Sequence, residues 1–140
     1  MPDIQGTYTT SINEAQEGYV ADASARDAKS CLVETAAGIN FGRVVSWGTA
    51  DNQCVVGGTN AIGITITDKT QRTDLYAQNE TAAVMRQGTV WVVAQVAVNA
   101  GDPVVYNDTD GTFDGTGSTL ANAVYETSGA IGELVRVHMK

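Results

Sequence analysis

Residues 89–98, TVWVVAQVAV, constrain the fold of this chain more than any other part of its sequence. With the period of two of an extended chain, one face of this segment is wholly apolar: Val90, Val92, Ala94, Val96 and Val98. The other face is largely apolar as well, and mixes Trp91 and Val93 with Thr89, Gln95 and Ala97. Because the segment is rich in β-branched residues, which disfavour a helix, it is predicted to be a strand. A strand that is apolar on both faces is typical of the middle of a sheet, or packs its second face on a neighbour.

The rest of the chain repeats this pattern in shorter pieces. Residues 61–67 alternate, with Ile62, Ile64 and Ile66 predicted on one face. The final segment, 133–140, places Val135, Val137 and Met139 inside and Leu134, Arg136, His138 and Lys140 on the other face. Turns are predicted at 57–60 (GGTN) and at 107–111 (NDTDG), the latter of hairpin type with Asx hydrogen bonds.

These segments amount to about nine or ten short strands without an amphipathic helix. The prediction is an all-β fold: a jelly-roll-like β-sandwich or barrel of short antiparallel strands. Residues 1–28 are polar and weakly patterned, so they are predicted to be an N-terminal arm or first strand, with a strand at 18–22 and the first dozen residues extended. Residues 29–140 then form the β-sandwich domain.

The charge balance excludes several partners. The chain has 8 basic and 16 acidic residues, a net charge of −8. Nucleic acid is therefore not expected to bind, because phosphate contacts need clustered Lys and Arg. No apolar run has the length of about 18 residues that a membrane span requires, and the first residues resemble no secretory signal. We expect a protein made in a cytoplasm, without a membrane partner.

No group of residues indicates catalysis, a cofactor or a metal. Cys31 and Cys54 form no CxxC pair, and they are predicted to be two buried thiols rather than a disulfide. His138 is the only histidine, so it cannot complete a zinc site. Asp108, Asp110 and Asp114 do not fit the spacing of an EF-hand loop.

Two surface features each allow more than one role. Arg136, His138 and Lys140 share one strand face and form either a positive strip for an acidic partner or, slightly favoured, a charged edge strand that resists aggregation. Both tryptophans are expected to pack in the core, although Trp91 could instead anchor a subunit interface.

Three motifs in a particular order resemble a known family. They are AIGITITD at 61–68, then AGDPVVYNDTDGTF directly after the valine-rich strand, and IGELVRVHMK at the end. Across residues 38–140 the chain resembles the head decoration, or capsid cement, proteins of tailed bacteriophages. The resemblance implies a β-sandwich or jelly roll without enzymatic activity or cofactor. It also implies that the protein binds the outside of the shell and clamps neighbouring major capsid subunits.

From this resemblance we expect the major capsid protein as partner and a homo-oligomer, with a dimer favoured over a trimer. The protein would be assembled in the host cytoplasm and reside on the outer surface of the virion. The candidate capsid or subunit contacts lie in the arm and on the last strands: Ile4, Tyr8, Ile12, Trp91, Gln95, Arg136, His138 and Lys140.

Two other classes of function are alternatives to a capsid cement protein. A ligand-binding β-module, such as a carbohydrate-binding or tail-fibre-type domain, would need a groove of exposed aromatics, for which Trp47, Tyr76 and Trp91 are available. A small β-barrel enzyme, such as a trimeric nucleotide hydrolase, would need a substrate motif that the sequence lacks.

Overall fold

The computed structural model describes residues 16–22, 26–68 and 75–140. These residues form ten strands and no helix, which confirms the predicted all-β class. The strands are β1 (Asp27–Val33), β2 (Ile39–Asn40), β3 (Val44–Trp47), β4 (Gln53–Val56), β5 (Ala61–Thr65), β6 (Leu75–Tyr76), β7 (Thr81–Val93), β8 (Pro103–Tyr106), β9 (Ser118–Tyr125) and β10 (Leu134–Met139).

A small closed barrel forms one part of the fold. Its strands follow the order β1-β4-β3-β5-β7, and β7 pairs again with β1 to close the ring. The first half of β7 serves both neighbours: Val84 pairs with Lys29 of β1 on one side and with Thr65 of β5 on the other. Because every strand in this ring has two neighbours, the ring exposes no free sheet edge.

The second half of β7 leaves the barrel and begins a second layer. It pairs antiparallel with β10 from Gly88↔Met139 to Val93↔Leu134, and β9 and β8 follow in order. The strand predicted over 89–98 therefore starts at Thr81 and ends at Val93. The sequence did not predict this earlier start, because the apolar alternation is interrupted at Arg86, Gln87 and Gly88. Between Val93 and the start of β8 the chain forms only isolated bridges, at Ala94 and Val98.

Two apolar clusters fill these two parts. The barrel interior holds Cys31, Val33, Ile39, Phe41, Val45, Cys54, Tyr76, Ala82 and Val84. The larger cluster lies between the barrel wall and the β8–β10 layer, and it includes Val90, Val92, Val104, Tyr106, Phe113, Tyr125, Val135, Val137 and Met139. The predicted inward face of the last strand is confirmed, since its three members are all buried.

The predicted alternation of residues 61–67 is wrong at Ile62, whereas Ile64 and Ile66 pack in the same, larger cluster. Val45 of β3 pairs with Gly63 and the next residue, Ser46, pairs with Ala61, so Ile62 is an extra residue in β5. A bulge of this kind turns the side chains on its two sides out of register. As a result Ile64 packs in the larger cluster, while Ile62 packs against the barrel interior.

The chain before β1 also joins the fold. Gly18 N–H donates to the Trp91 carbonyl (2.8 Å) and Ala21 N–H donates to the Thr89 carbonyl (2.8 Å), so residues 18–21 run along β7 on the side opposite β10. The strand predicted at 18–22 is reduced to one bridge, Val20↔Val90. The first dozen residues, which were predicted to be extended, lie outside the described residues. The predicted boundary at 28 falls within β1.

The turn at 107–111 has the predicted Asx hydrogen bonds. Thr109 N–H and Asp110 N–H both donate to Asn107 Oδ1, at 2.7 and 3.3 Å. The turn does not form a tight hairpin, because the next paired strand, β9, begins only at Ser118. Gly111 instead accepts a hydrogen bond from Val44 N–H (3.1 Å), so the turn docks on the barrel.

Cys31 and Cys54 are free and buried, as predicted. Their side chains are hydrogen-bonded to each other across the parallel pair β1 and β4. This hydrogen bond, and then burial, raises the pKa of Cys54 above its ordinary value. The Cys54 thiol therefore keeps its proton over the physiological range.

We expect the protein to lose stability at alkaline pH through Tyr125. Burial first, and then the charge of Asp102, raises the pKa of this phenol from 10.0 to about 12. The folded state thus holds the phenol proton more tightly than the unfolded state does. The contribution of the protonated Tyr125 to the free energy of unfolding is therefore complete below pH 10.0 and is lost as the pH rises towards 12. The expected loss is about 2–3 kcal/mol in the free energy of unfolding.

Urea denaturation across this pH range checks the prediction. Tyr125→Phe is the control, because it removes the titrating group and should make the alkaline loss shallower by that amount. An equal loss in both proteins would assign the effect to other groups.

Candidate functional site

Trp91 and Arg136 lie side by side on the sheet formed by β7 and β10. The two residues are direct cross-strand partners, and the Arg136 guanidinium lies 6.0 Å from the centroid of the Trp91 ring. Both side chains are half-buried. The structure therefore brings together two of the predicted contact residues, one aromatic and one cationic, which are residue types enriched at binding hot spots.

The charge of Arg136 is largely compensated within the chain. Its Nη2 lies 2.5 Å from Asp22 Oδ2 and 3.1 Å from Glu126 Oε2. His138 lies two residues further along β10, where its Nδ1 is 2.9 Å from the Thr89 hydroxyl and 3.5 Å from a Glu126 carboxylate oxygen. The hypothesised positive strip is thus a mixed-charge surface, in which Asp22 and Glu126 face the basic side chains.

The remaining predicted contacts lie elsewhere. Gln95 follows the end of β7, where its N–H donates to the Phe113 carbonyl (3.0 Å), so it shares no strand face with Trp91. Lys140 lines a polar groove of about 440 Å³ together with Asp27, Arg86 and Asn122. The three arm residues, Ile4, Tyr8 and Ile12, lie outside the described residues.

The aromatic residues considered for a ligand groove do not form one. Tyr76 is fully buried and its hydroxyl donates to the Ile66 carbonyl (2.6 Å). Trp47 is 43% exposed, which corrects its predicted core packing. It ends β3, and Lys29 Nζ lies 4.9 Å above its ring. Trp91 lies on β7 and carries Arg136 instead, so the two half-open tryptophans belong to separate surfaces.

An exposed apolar surface that the sequence did not predict lies beyond the end of β7. Val96, placed inside by the alternation, is 37% exposed, and Ile131 is 70% exposed. The alternation fails at Val96 because the strand has already ended at Val93. Next to Val96 is a groove of about 210 Å³, whose lining includes Val98, Pro103, Val105, Gly115 and Tyr125. We call Val96, Ile131 and this groove the apolar end.

Comparison with known proteins assigns the chain to a family. A family model described as "Structural cement protein (E217 gp24/Pam3 gp6)" matches residues 4–140. The chain belongs to this family. It is a structural protein of a phage capsid with a cement or decoration role, as the resemblance of its motifs implied.

Two solved structures are similar to the cement protein. A chain of "The capsid of Myoviridae Phage XM1" is 20% identical with a TM-score of 0.77, and the match covers 97% of this chain and 96% of that one. The head fiber gp8.5 N base of bacteriophage phi29 is 12% identical with a TM-score of 0.46, covering 83% and 95% of the two chains. The first likeness supports the fold described above. The curated proteins gave no match.

The described residues of the cement protein contain neither a metal-binding cluster nor a membrane-spanning helix. No group of three or more His, Cys, Asp or Glu side chains is arranged to hold a metal ion there. In the same part of the chain no helix is long and apolar enough to cross a membrane.

Arg136→Gln should loosen residues 18–21 of the cement protein with little effect on global stability. The ion pairs of Arg136 are partly solvated, so we expect a loss of only about 1 kcal/mol in the free energy of unfolding. Locally, the loss of the Asp22 partner should speed amide exchange at Ala21, whose N–H bonds to Thr89. Arg86→Gln is the control, because the Arg86–Asp27 pair is long (3.8 Å) and exposed. Unchanged exchange at Ala21 would show that its backbone bond needs no help from Arg136.

Proposed function

We propose that this cement protein binds the outer surface of the phage head and holds neighbouring major capsid subunits together, without catalysing a reaction. The family match over residues 4–140 carries the proposal, because it makes the whole folded body the cement unit. Such a protein acts by binding energy alone. Each copy that contacts two shell subunits raises the free energy needed to separate them.

The architecture suits a passive clamp. The closed barrel and the β8–β10 layer share the continuous strand β7, so force applied at one part passes directly to the other through backbone. Two well-packed apolar clusters resist deformation of this body. A rigid body also loses little conformational entropy when it binds, which favours affinity.

We propose that the Trp91 and Arg136 surface is a contact with a capsid subunit or a second copy. Residues 18–21 run beside Trp91 and so belong to this surface. Ile4, Tyr8 and Ile12 remain candidate contacts from the sequence. His138 lies beside Arg136 against Glu126 and is a further candidate on this surface, whereas Gln95 and Lys140 remain candidate contacts at separate positions. An arm and a rigid surface that bind together reinforce each other through effective concentration.

A homo-oligomer, with a dimer favoured over a trimer, would strengthen attachment in the same way. Interfaces of about 800 Å² per partner then act together on a repeating lattice. The acidic net charge of −8 fits a location outside the compartment that holds the DNA. Assembly onto the shell would take place in the host cytoplasm.

Binding to shells assembled without the cement protein tests the proposal. We expect saturable co-sedimentation of the purified protein with these shells, and greater resistance of the decorated shells to heat. Trp91→Ala should weaken binding about tenfold or more, while Trp47→Ala, a half-open tryptophan on another surface, should bind as the wild type does. Absence of wild-type binding to any shell would contradict the proposal.

A further inference from the structure

We infer that the apolar end of the cement protein docks on a capsid subunit surface that combines apolar side chains with Lys and Arg. This inference rests on the proposed function and names a second contact surface, separate from that of Trp91 and Arg136. A clamp needs two such surfaces if one copy is to hold two subunits.

The backbone holds Val96 and Ile131 close to each other. Gly132 N–H donates to the Ala94 carbonyl (2.7 Å), while Val98 and Gly129 exchange two hydrogen bonds of 3.0 and 3.1 Å. The segments 94–98 and 129–132 therefore run side by side in opposite directions. Val96 and Ile131 lie between these two sets of bonds, on facing segments.

The chain on both sides of Val96 is packed and hydrogen-bonded. Ala94 and Val98 are buried on either side of Val96, and the Gln95 backbone is bonded to Phe113. The groove adjoining Val96 has Val98 and Tyr125, both buried, in its lining. Val96 and Ile131 are thus exposed apolar groups on segments that hydrogen bonds hold together, beside a groove that can receive an apolar side chain. In the described residues the only other large hydrophobic exposed to this degree is Trp47.

Charge decides which partner fits. The sequence contains no Lys or Arg between Arg86 and Arg136, but six acidic residues. Asp102 lines the groove, Asp114 precedes the groove residue Gly115, and Glu133 accepts a hydrogen bond from Ala130 N–H, next to Ile131. Among the described residues none of these three carboxylates has an ion-pair partner within 4.0 Å.

A second copy placed on this surface would bring a like set of carboxylates against these three. Like charges opposed across an interface weaken it. A shell subunit that presents Lys or Arg around an apolar centre would be attracted instead. The acidic rim and apolar centre also match the usual anatomy of a protein interface.

The test is binding of the full chain to shells assembled without it, at low and high salt. Ile131→Asp should weaken binding about 30-fold, as expected for a central apolar contact, and Val96→Asp should act in the same direction. Trp47→Asp is the matched control, since it places the same charge at an exposed hydrophobic residue elsewhere, and it should bind as the wild type does. Circular dichroism and thermal melting of each variant verify folding.

The double variant Asp102→Asn, Glu133→Gln tests the partner's charge. Its amide oxygens can still accept the hydrogen bonds from Asn99 and Ala130 that the carboxylates accept. We expect weaker binding and a shallower salt dependence than in the wild type. Stronger shell binding by this variant would overturn the assignment of a basic partner.

The other outcomes are equally decisive. Wild-type affinity in both Ile131→Asp and Val96→Asp would overturn this inference and leave the proposed function standing. A native oligomer that dissociates in Ile131→Asp without a loss of shell affinity per subunit would make the apolar end a contact between copies, and would also overturn it. Failure of the wild-type protein to bind shells would remove the proposed function itself.

Discussion

Gly63→Ala should lower the free energy of unfolding by about 3–5 kcal/mol, enough to unfold much of a marginally stable domain. A Cβ on Gly63 would lie 2.0 Å from the Met85 carbonyl oxygen and 2.9 Å from its carbonyl carbon. These are backbone atoms of β7, in the segment that closes the barrel by pairing with both β5 and β1. A side chain could retreat from the added methyl group, but β7 cannot move without loss of hydrogen bonds to a neighbouring strand.

Gly101→Ala is the matched control for this experiment. A Cβ at Gly101 would meet no atom within 4 Å, although its φ of +92° is unfavourable for alanine. Strain without a clash should lower the stability by only about 1 kcal/mol. Urea denaturation of the three proteins gives the comparison. A loss at Gly63 no larger than that at Gly101 would mean that β5 and β7 do not approach as closely as described.

Tyr106→Ala should lower the free energy of unfolding by about 3–5 kcal/mol. Tyr106 ends β8 and is fully buried in the larger apolar cluster, so truncation leaves a cavity between the barrel and the β8–β10 layer. Its hydroxyl also donates to the Gly58 carbonyl (2.6 Å), which ties β8 to the turn between β4 and β5. The ring therefore joins the two parts of the fold by packing and by one hydrogen bond.

Tyr106→Phe separates these two contributions. The phenylalanine keeps the packing and removes only the hydroxyl, so we expect a loss of about 1–2 kcal/mol. Chemical denaturation of both variants under the same conditions measures the difference. If Tyr106→Phe lost as much stability as Tyr106→Ala, the hydrogen bond to Gly58 would be the main link and the packing secondary.

Local patterns predicted much of the fold because they depend on few residues. The inward face of β10 followed from alternation alone, since nothing interrupts pairing along Leu134–Met139. The Asx turn at Asn107 followed from hydrogen bonds within three residues. The capsid role followed from the order of three short motifs, which the family match over residues 4–140 confirms. Trp91 and Arg136 were predicted as contacts because aromatic and cationic residues stand out in such strands, and the structure places them side by side.

Other features depend on strands distant in sequence, which alternation cannot describe. The start of β7 at Thr81 is a strand because β1 and β5 pair with it, although Arg86–Gly88 break its pattern. The bulge at Ile62 arises from the register of β3, and a single extra residue is enough to send Ile62 and Ile64 to different clusters.

Dependence on segments distant in sequence also separates what the sequence determined about function from what the tertiary structure decided. The sequence by itself determined an acidic, all-β cement protein, because composition, period and motif order are properties of the chain alone. Only the tertiary structure placed Asp22 against Arg136, 114 residues away. The carboxylate compensates the arginine charge, so the predicted positive strip is a surface of mixed charge. The tertiary structure likewise ended β7 at Val93 and exposed Val96 beside Ile131. Charge compensation and exposure depend on which distant segments meet, and that is fixed by the closure of the barrel and the layer built on it.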